Sequence, residues 1–123
     1  MKFVATTSAP KAIGPYSQGV IDGGFLFTAG QVPFDPATGK LVEGGVVAQT
    51  EQIFRNLEAI MSAANKSFAD VVKVNVYLMD MRDFAAMNEV YARHFAAPYP
   101  ARTTVAVAEL PLGAVVEMEM IAG

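Results

Sequence analysis

The chain has 123 residues, a length that predicts one domain spanning residues 1–123. Nine Lys and Arg against twelve Asp and Glu leave a net charge of −3, with no basic cluster. Nucleic acid and anionic membrane surfaces need a positive footprint and are disfavoured as partners. The absence of cysteine and the single histidine exclude disulfides, a cysteine nucleophile and thiolate or His-rich metal sites.

Only 17% of residues are charged and 53% are hydrophobic, against roughly 25% charged in typical domains. The apolar excess predicts that another subunit covers part of the surface. The N-terminal stretch lacks the apolar segment of a secretory signal. The longest uncharged run, Gly23–Phe34, is too short to span a bilayer. The expectation is a cytoplasmic protein.

Ser17–Ile21 and Phe25–Gly30 read as strands flanking an Asp22-Gly23-Gly24 turn, a hairpin. Asp35–Lys40 is a second turn, and a loop with Gly44 and Gly45 follows. The period then changes. Ile53, Leu57, Ile60, Met61 and Ala64 share one face of a helix predicted over Val47–Ala64. Glu51, Gln52, Arg55 and Glu58 lie mostly off that stripe, and Asn65 suits the left-handed closing position. Val71–Met79 alternates: Val72, Val74, Val76 and Leu78 take one face, and Lys73, Asn75 and Tyr77 the other. Asp80 and Asp83 resemble a capping box. It opens a second helix, from Met81 or Asp83 to Phe95, with Phe84, Met87, Tyr91 and Phe95 on one face. Two more strands, Thr103–Ala108 and Ala114–Ile121, are joined by a turn at Pro111–Gly113. This order gives an α+β fold, one mixed sheet with two helices on one side.

Two helices cover one face of such a sheet, and the other face needs water or a partner. In the last strand Val116, Met118 and Met120 suit the helices. Val115, Glu117, Glu119 and Ile121 then take the open face, the two carboxylates about 7 Å apart. With Lys73, Asn75 and Tyr77 the mixture suits a subunit interface with a polar cleft at its rim. Alternating glutamates are also the ordinary wet face of an antiparallel sheet. Arg102, in "PYPARTTVAV", equally admits a structural ion pair or plain exposure. His94 reads as a helix-dipole partner and the methionines as core filler. No glycine loop resembles a phosphate cradle.

Four segments nevertheless belong together: "AIGPYSQGV" (Ala12–Val20), "TAGQVPFDPATG" (Thr28–Gly39), "FADVVKVNVYLMDMRDFAAMNEVY" (Phe68–Tyr91), and "YPARTTVAVAELP" (Tyr99–Pro111) running toward "VEMEMIA". In order and spacing they resemble the Rid (YjgF-type) family of reactive-intermediate imine/enamine deaminases. The resemblance implies a chorismate-mutase-like fold, a sheet of about six strands with two helices on one face. It also implies a homotrimer with a cleft at each subunit junction. It makes Arg102 the carboxylate-binding residue and Glu117 the water-positioning one. Tyr16 and Asn88 match the family's pocket side chains, and backbone groups near Gly30 and Thr104 complete the pocket. The implied substrate is a short 2-imino acid or 2-aminoacrylate enamine, hydrolysed to a 2-keto acid and ammonia without metal or cofactor.

Three positions depart from the family's commonest pattern: Thr103-Thr104 where Ser-Cys is frequent, Ala29 in place of a serine, and Glu109 in place of a basic residue. They bear on the substrate more than on the reaction. Three other readings stand beside the deaminase. One is a non-catalytic module that binds a small carboxylate such as a 2-keto acid. Another is a pathway-specific deaminase of a larger substrate. The last is RNA binding or cleavage, associated with some relatives, against which the acidic balance argues.

Overall fold

The two strands of strictest alternation, Val71–Leu78 and Val116–Ala122, pair antiparallel at the centre of the sheet. The computed structural model describes all 123 residues. Its elements are β1 (Lys2–Val4), β2 (Gly19–Asp22), β3 (Phe25–Thr28), β4 (Phe34–Asp35), β5 (Lys40–Leu41), α1 (Gly45–Ala63), β6 (Val71–Leu78), α2 (Phe84–Ala92), β7 (Ala101–Ala106) and β8 (Val116–Ala122). Six strands form one sheet in the order β1-β2-β3-β8-β6-β7, and β4 and β5 form a small separate ribbon. Every pair in the large sheet is antiparallel except β6 with β7. A parallel pair needs a crossover, and α2 supplies it.

Both helices cover the same face. Leu26, Val74, Val76, Leu78, Val116, Met118 and Met120 from the sheet are buried with Ile53, Leu57, Ile60 and Met61 of α1 and Met87 and Val90 of α2. Burying each such side chain contributes about 1.5–3 kcal/mol relative to leaving it in water. Phe54, Phe68, Tyr91 and Phe95 form an edge-to-face aromatic cluster between the helices. His94 stacks on Phe54 at 4.1 Å, and its Nε2 lies 3.3 Å from Glu51 Oε2. It lies just past the end of α2, packed on Phe54 and beside the Glu51 carboxylate.

The α+β architecture agrees with the sequence reading, and the differences are local. Val72 is exposed and Val71 takes its place in the core, because the register shifts between Val71 and Lys73. That irregularity inserts one residue and reverses the alternation at the strand's start. Gly44, at φ 112°, turns the chain into α1 two residues earlier than the periodicity implied. Gln52 is buried on α1, where its amide donates to Asn56 Oδ1. α2 ends at Ala92 rather than Phe95, since Arg93 and His94 bond three residues back and tighten the chain. Asp80 caps only a short turn over Met81–Asp83, and its carboxylate also holds the Arg82 guanidinium. β7 begins at Ala101, so Arg102 is a strand residue rather than a residue before the strand. β1, β4 and β5 are additions to the expected strands. Asn65 does adopt the left-handed conformation, φ 56°. No helix is long and apolar enough to cross a membrane.

Candidate active site

The open face carries a row of polar groups. Lys73 Nζ donates to Thr103 Oγ1 at 2.8 Å. Tyr77 Oη donates a short hydrogen bond to Glu119 Oε1, and Asn75 Nδ2 lies 3.4 Å from the same oxygen. The bond to Glu119, followed by burial, pushes the Tyr77 hydroxyl up to about 12. Glu119 is therefore engaged by its neighbours across the strand. Glu117 accepts no hydrogen bond from the chain. Burial first, and the Glu119 charge second, raise its pKa above the ordinary carboxylate value. A carboxylate that is half-buried, unengaged and reluctant to ionise is the kind of group that takes up a proton at a reaction centre.

Glu117 is delivered by β8, and the backbone beside it by an isolated bridge. Gln31 and Met118 exchange backbone hydrogen bonds, at 2.7 and 3.2 Å. The bridge lays Gly30 against the Glu117 carboxylate so closely that a Cβ at Gly30 would collide with Glu117 Oε1. Tyr16 joins them in a cavity of about 500 Å³, with Ile13 and Leu112 on its wall.

Arg102 sits elsewhere. In the parallel register it pairs with Val74, so its side chain shares the helix-covered face at the β7 edge. The guanidinium carbon lies 4.6 Å from the Tyr91 ring centre and 5.4 Å from that of Phe84. Its Nη1 donates to Asn88 Oδ1 at 2.6 Å. Phe84, Asn88 and Tyr91 follow the 0, 4, 7 spacing of one helical face, so α2 presents ring, amide and ring to one cation. Arg102 takes part in no ion pair. With Asn88, Tyr91 and Tyr99 it lines a cavity of about 470 Å³. The Tyr91 hydroxyl is buried without a partner, and burial raises its pKa against the opposing charge of Arg102. Thr104 Oγ1, one step inward on the same strand face, is also buried and unpartnered, and it lines neither cavity.

The six expected residues thus fall into two groups. Tyr16, Gly30 and Glu117 meet in one cavity, and Asn88 and Arg102 meet in another that shares no lining residue with it. Thr104 stands behind Arg102. Sequence reasoning assigned Phe84 and Tyr91 to the core alone and passed over Ile13, Leu112 and Tyr99.

Residues 6–123 match the model of the family described as endoribonuclease L-PSP, the YjgF/Rid family. The chain belongs to the Rid family. A RutC family protein of Pyrococcus horikoshii is 53% identical over 98% of this chain and 96% of its own. A 2-iminobutanoate/2-iminopropanoate deaminase of Mus musculus is 48% identical over 98% of this chain and 90% of its own. The crystal structure of RidA from an Antarctic Psychrobacter superposes with a TM-score of 0.95 at 49% identity, covering 99% of this chain and 98% of that one. The Rid fold, two helices against one six-stranded sheet, is the architecture described above.

Proposed function

We propose that this protein is a deaminase that hydrolyses short 2-imino acids, or their 2-aminoacrylate enamine tautomers, to 2-keto acids and ammonia. The observation that carries the reading is the state of Arg102. A guanidinium set over two aromatic rings of α2 and fixed by Asn88, yet paired with no carboxylate, is prepared for an anion. Its Nε and Nη2 edge remains free to grip a substrate carboxylate with two parallel N–H···O bonds. The mouse deaminase at 48% identity supports the choice of substrate class.

Glu117 accepts a proton from a water as the water oxygen bonds to the C=N carbon. The C=N π bond opens onto nitrogen, which takes the proton from Glu117. The new hydroxyl then loses its proton through Glu117 as C=O forms and the C–N bond breaks, so nitrogen leaves as ammonia with both of the water's protons and the 2-keto acid remains. General-base assistance of this kind is worth roughly 10²–10⁴-fold.

The two halves of the site meet when copies assemble. Phe25, Phe27, Val72 and Val105 are exposed on or beside the open face, an apolar surface that association would cover. We read the assembly as a homotrimer in which Arg102 of one copy and Glu117 of the next line one cleft. Its occupant is a small imino or keto acid, with no metal or cofactor required. The test is the rate of keto acid formation from 2-iminobutanoate generated in situ, together with the mass by light scattering. A mass of 13.1 kDa, the single chain, would remove the shared site.

A further inference from the structure

Glu117 accepts no hydrogen bond from the chain, so backbone and packing alone place its carboxylate. Two backbone segments make its seat. β8 carries Glu117, and the segment from Gly30 to Phe34 meets β8 at the bridge between Gln31 and Met118. The fit is so close that a Cβ at Gly30 would collide with a carboxylate oxygen. One isolated bridge fixes one residue of each segment and leaves the chain on either side of it to be held by something else.

That hold comes from α1, on the opposite face of the sheet. Gln49, Gln52 and Asn56 follow the 0, 3, 7 spacing of one helical face, beside the apolar stripe of Ile53, Leu57 and Ile60. All three amides are buried. Burying an amide is costly unless it bonds, and here the outer two bond to backbone. Gln49 Oε1 accepts from the Val115 N–H at 2.8 Å, two residues before Glu117. Asn56 Nδ2 donates to the Phe34 carbonyl at 2.9 Å and lies 3.4 Å from the carbonyl of Val32, the residue after Gln31. Gln52 Nε2 donates to Asn56 Oδ1 at 2.9 Å, and its Oε1 accepts from Arg55 at 3.0 Å. Those two bonds fix which way the Asn56 amide faces.

We propose that Gln49 and Asn56 are positioning residues for Glu117: from behind the sheet they hold the two backbone segments that form its seat. Neither touches the substrate. Apolar side chains in their places would fill the same space and leave the Val115 N–H and the Phe34 carbonyl unpaired. The segments would shift toward water, and the carboxylate would move with them. Arg102, held by α2, would not move. This inference rests on the deaminase reading and adds the residues that aim its base.

The experiment uses Gln49→Met, which removes one acceptor at similar volume, and Asn56→Ala. Each is assayed below the onset of its own melting, so that only folded protein is compared. Three quantities are read: kcat and KM toward 2-iminobutanoate, the affinity for 2-oxobutanoate by calorimetry, and the titration midpoint of the Glu117 carboxyl by carbon-13 NMR. Both variants should lower kcat by up to about 100-fold, the scale of an ångström misplacement. KM and keto acid affinity should stay within about twofold, since ground-state binding is spared. The Glu117 midpoint should fall toward the ordinary carboxylate value, because a loosened side chain meets more water. The ionisable groups around Glu117 are Glu119 on its own strand, Tyr77 on β6, and Lys11, Tyr16 and Asp35 across the cavity, and neither substitution alters them. Variants that melt lower yet keep the wild-type kcat and midpoint overturn the proposal, because the amides then hold only the fold. Gln49→Met is the milder change and decides alone if Asn56→Ala does not fold. A wild type that leaves 2-iminobutanoate at the buffer rate overturns the deaminase reading. The Glu117 midpoint needs no substrate, and it then decides whether the amides place the carboxylate: an unchanged midpoint in folded Gln49→Met overturns that too.

Discussion

Arg102 and Glu117 lie on opposite faces of one sheet, with β6 between their strands. Arg102 shares a row with Val74 and Met120, on the helix side. Glu117 shares a row with Tyr77 and Val105, on the open side. The sheet's own thickness separates them, so one small substrate does not touch both within a single chain. Each half therefore makes its own experimental prediction, and their combination makes another.

Arg102→Ala should cost about 2–5 kcal/mol in kcat/KM toward 2-iminobutanoate, the range for removing one partner of a desolvated charge pair. Arg102→Lys keeps the charge and loses both the fork and the stacking plane over Tyr91 and Phe84. It should recover part of the loss, never the whole. Steady-state kinetics on both variants checks this. Wild-type rates in Arg102→Ala would remove the carboxylate clamp.

The perturbed carboxylate predicts a pH dependence with a definite sign. Glu117 must be ionised to accept a proton, and its pKa is raised above 4.5, mainly by burial and secondly by Glu119. The acid limb of kcat/KM should therefore fall above pH 4.5, with activity lost as the pH drops through it. Glu119→Gln removes the smaller cause and should move the limb down without restoring 4.5. Stability follows the opposite course. Ionising a half-buried carboxylate opposes folding above the raised pKa, and the effect vanishes below 4.5, where both states are protonated. Glu117→Gln should melt higher than wild type at neutral pH, and the gap should close as the pH falls below 4.5. A gap independent of pH would sink this account.

The centre of the fold was legible because its signal is local. Val71–Leu78 and Val116–Ala122 each declare an inside and an outside by alternation alone, and the α1 stripe does the same at helical period. What escaped depends on pairing between distant segments. Val72 left the core through an irregularity visible only against β8. β1 is set by the segment after it, where the buried Gln18 holds the backbone of Thr6 and Pro10 by side-chain bonds. The side to which Arg102 points depends on its register with β6, set across the α2 crossover. Glu117 and Glu119 are equivalent in a period-2 pattern. Only Tyr77 and Asn75 on the neighbouring strand separate an engaged carboxylate from a free one. The Phe84, Asn88, Tyr91 spacing was present in the sequence, yet a ring that packs in a core and a ring that cradles a cation look alike there.

Gly30→Ala should act through Glu117. The backbone of Gly30 is not in the left-handed region, so alanine is tolerated locally, and the atom its Cβ meets is the end of a flexible side chain. The fold should survive with a melting temperature near wild type while the carboxylate swings away. A misplacement of this size costs on the order of 100-fold in kcat. Keto acid binding at Arg102 should be spared. Full activity in Gly30→Ala would mean that the Glu117 position seen here is not the working one.

Mixing two inactive variants tests the shared site directly. Arg102→Ala keeps a sound Glu117, and Glu117→Gln keeps a sound Arg102. In the proposed homotrimer, neither variant alone gives a complete cleft. If the two are unfolded together and refolded at equal ratio, copies assort at random around a head-to-tail ring. A cleft then receives a sound arginine from one neighbour and a sound glutamate from the next in about a quarter of cases. Activity should rise from near background toward about a quarter of the wild-type value per cleft. The rise should follow the product of the two mole fractions and peak at the equal mixture. A site contained within one chain gives no rise at any ratio, because every chain in the mixture still lacks one of the two groups.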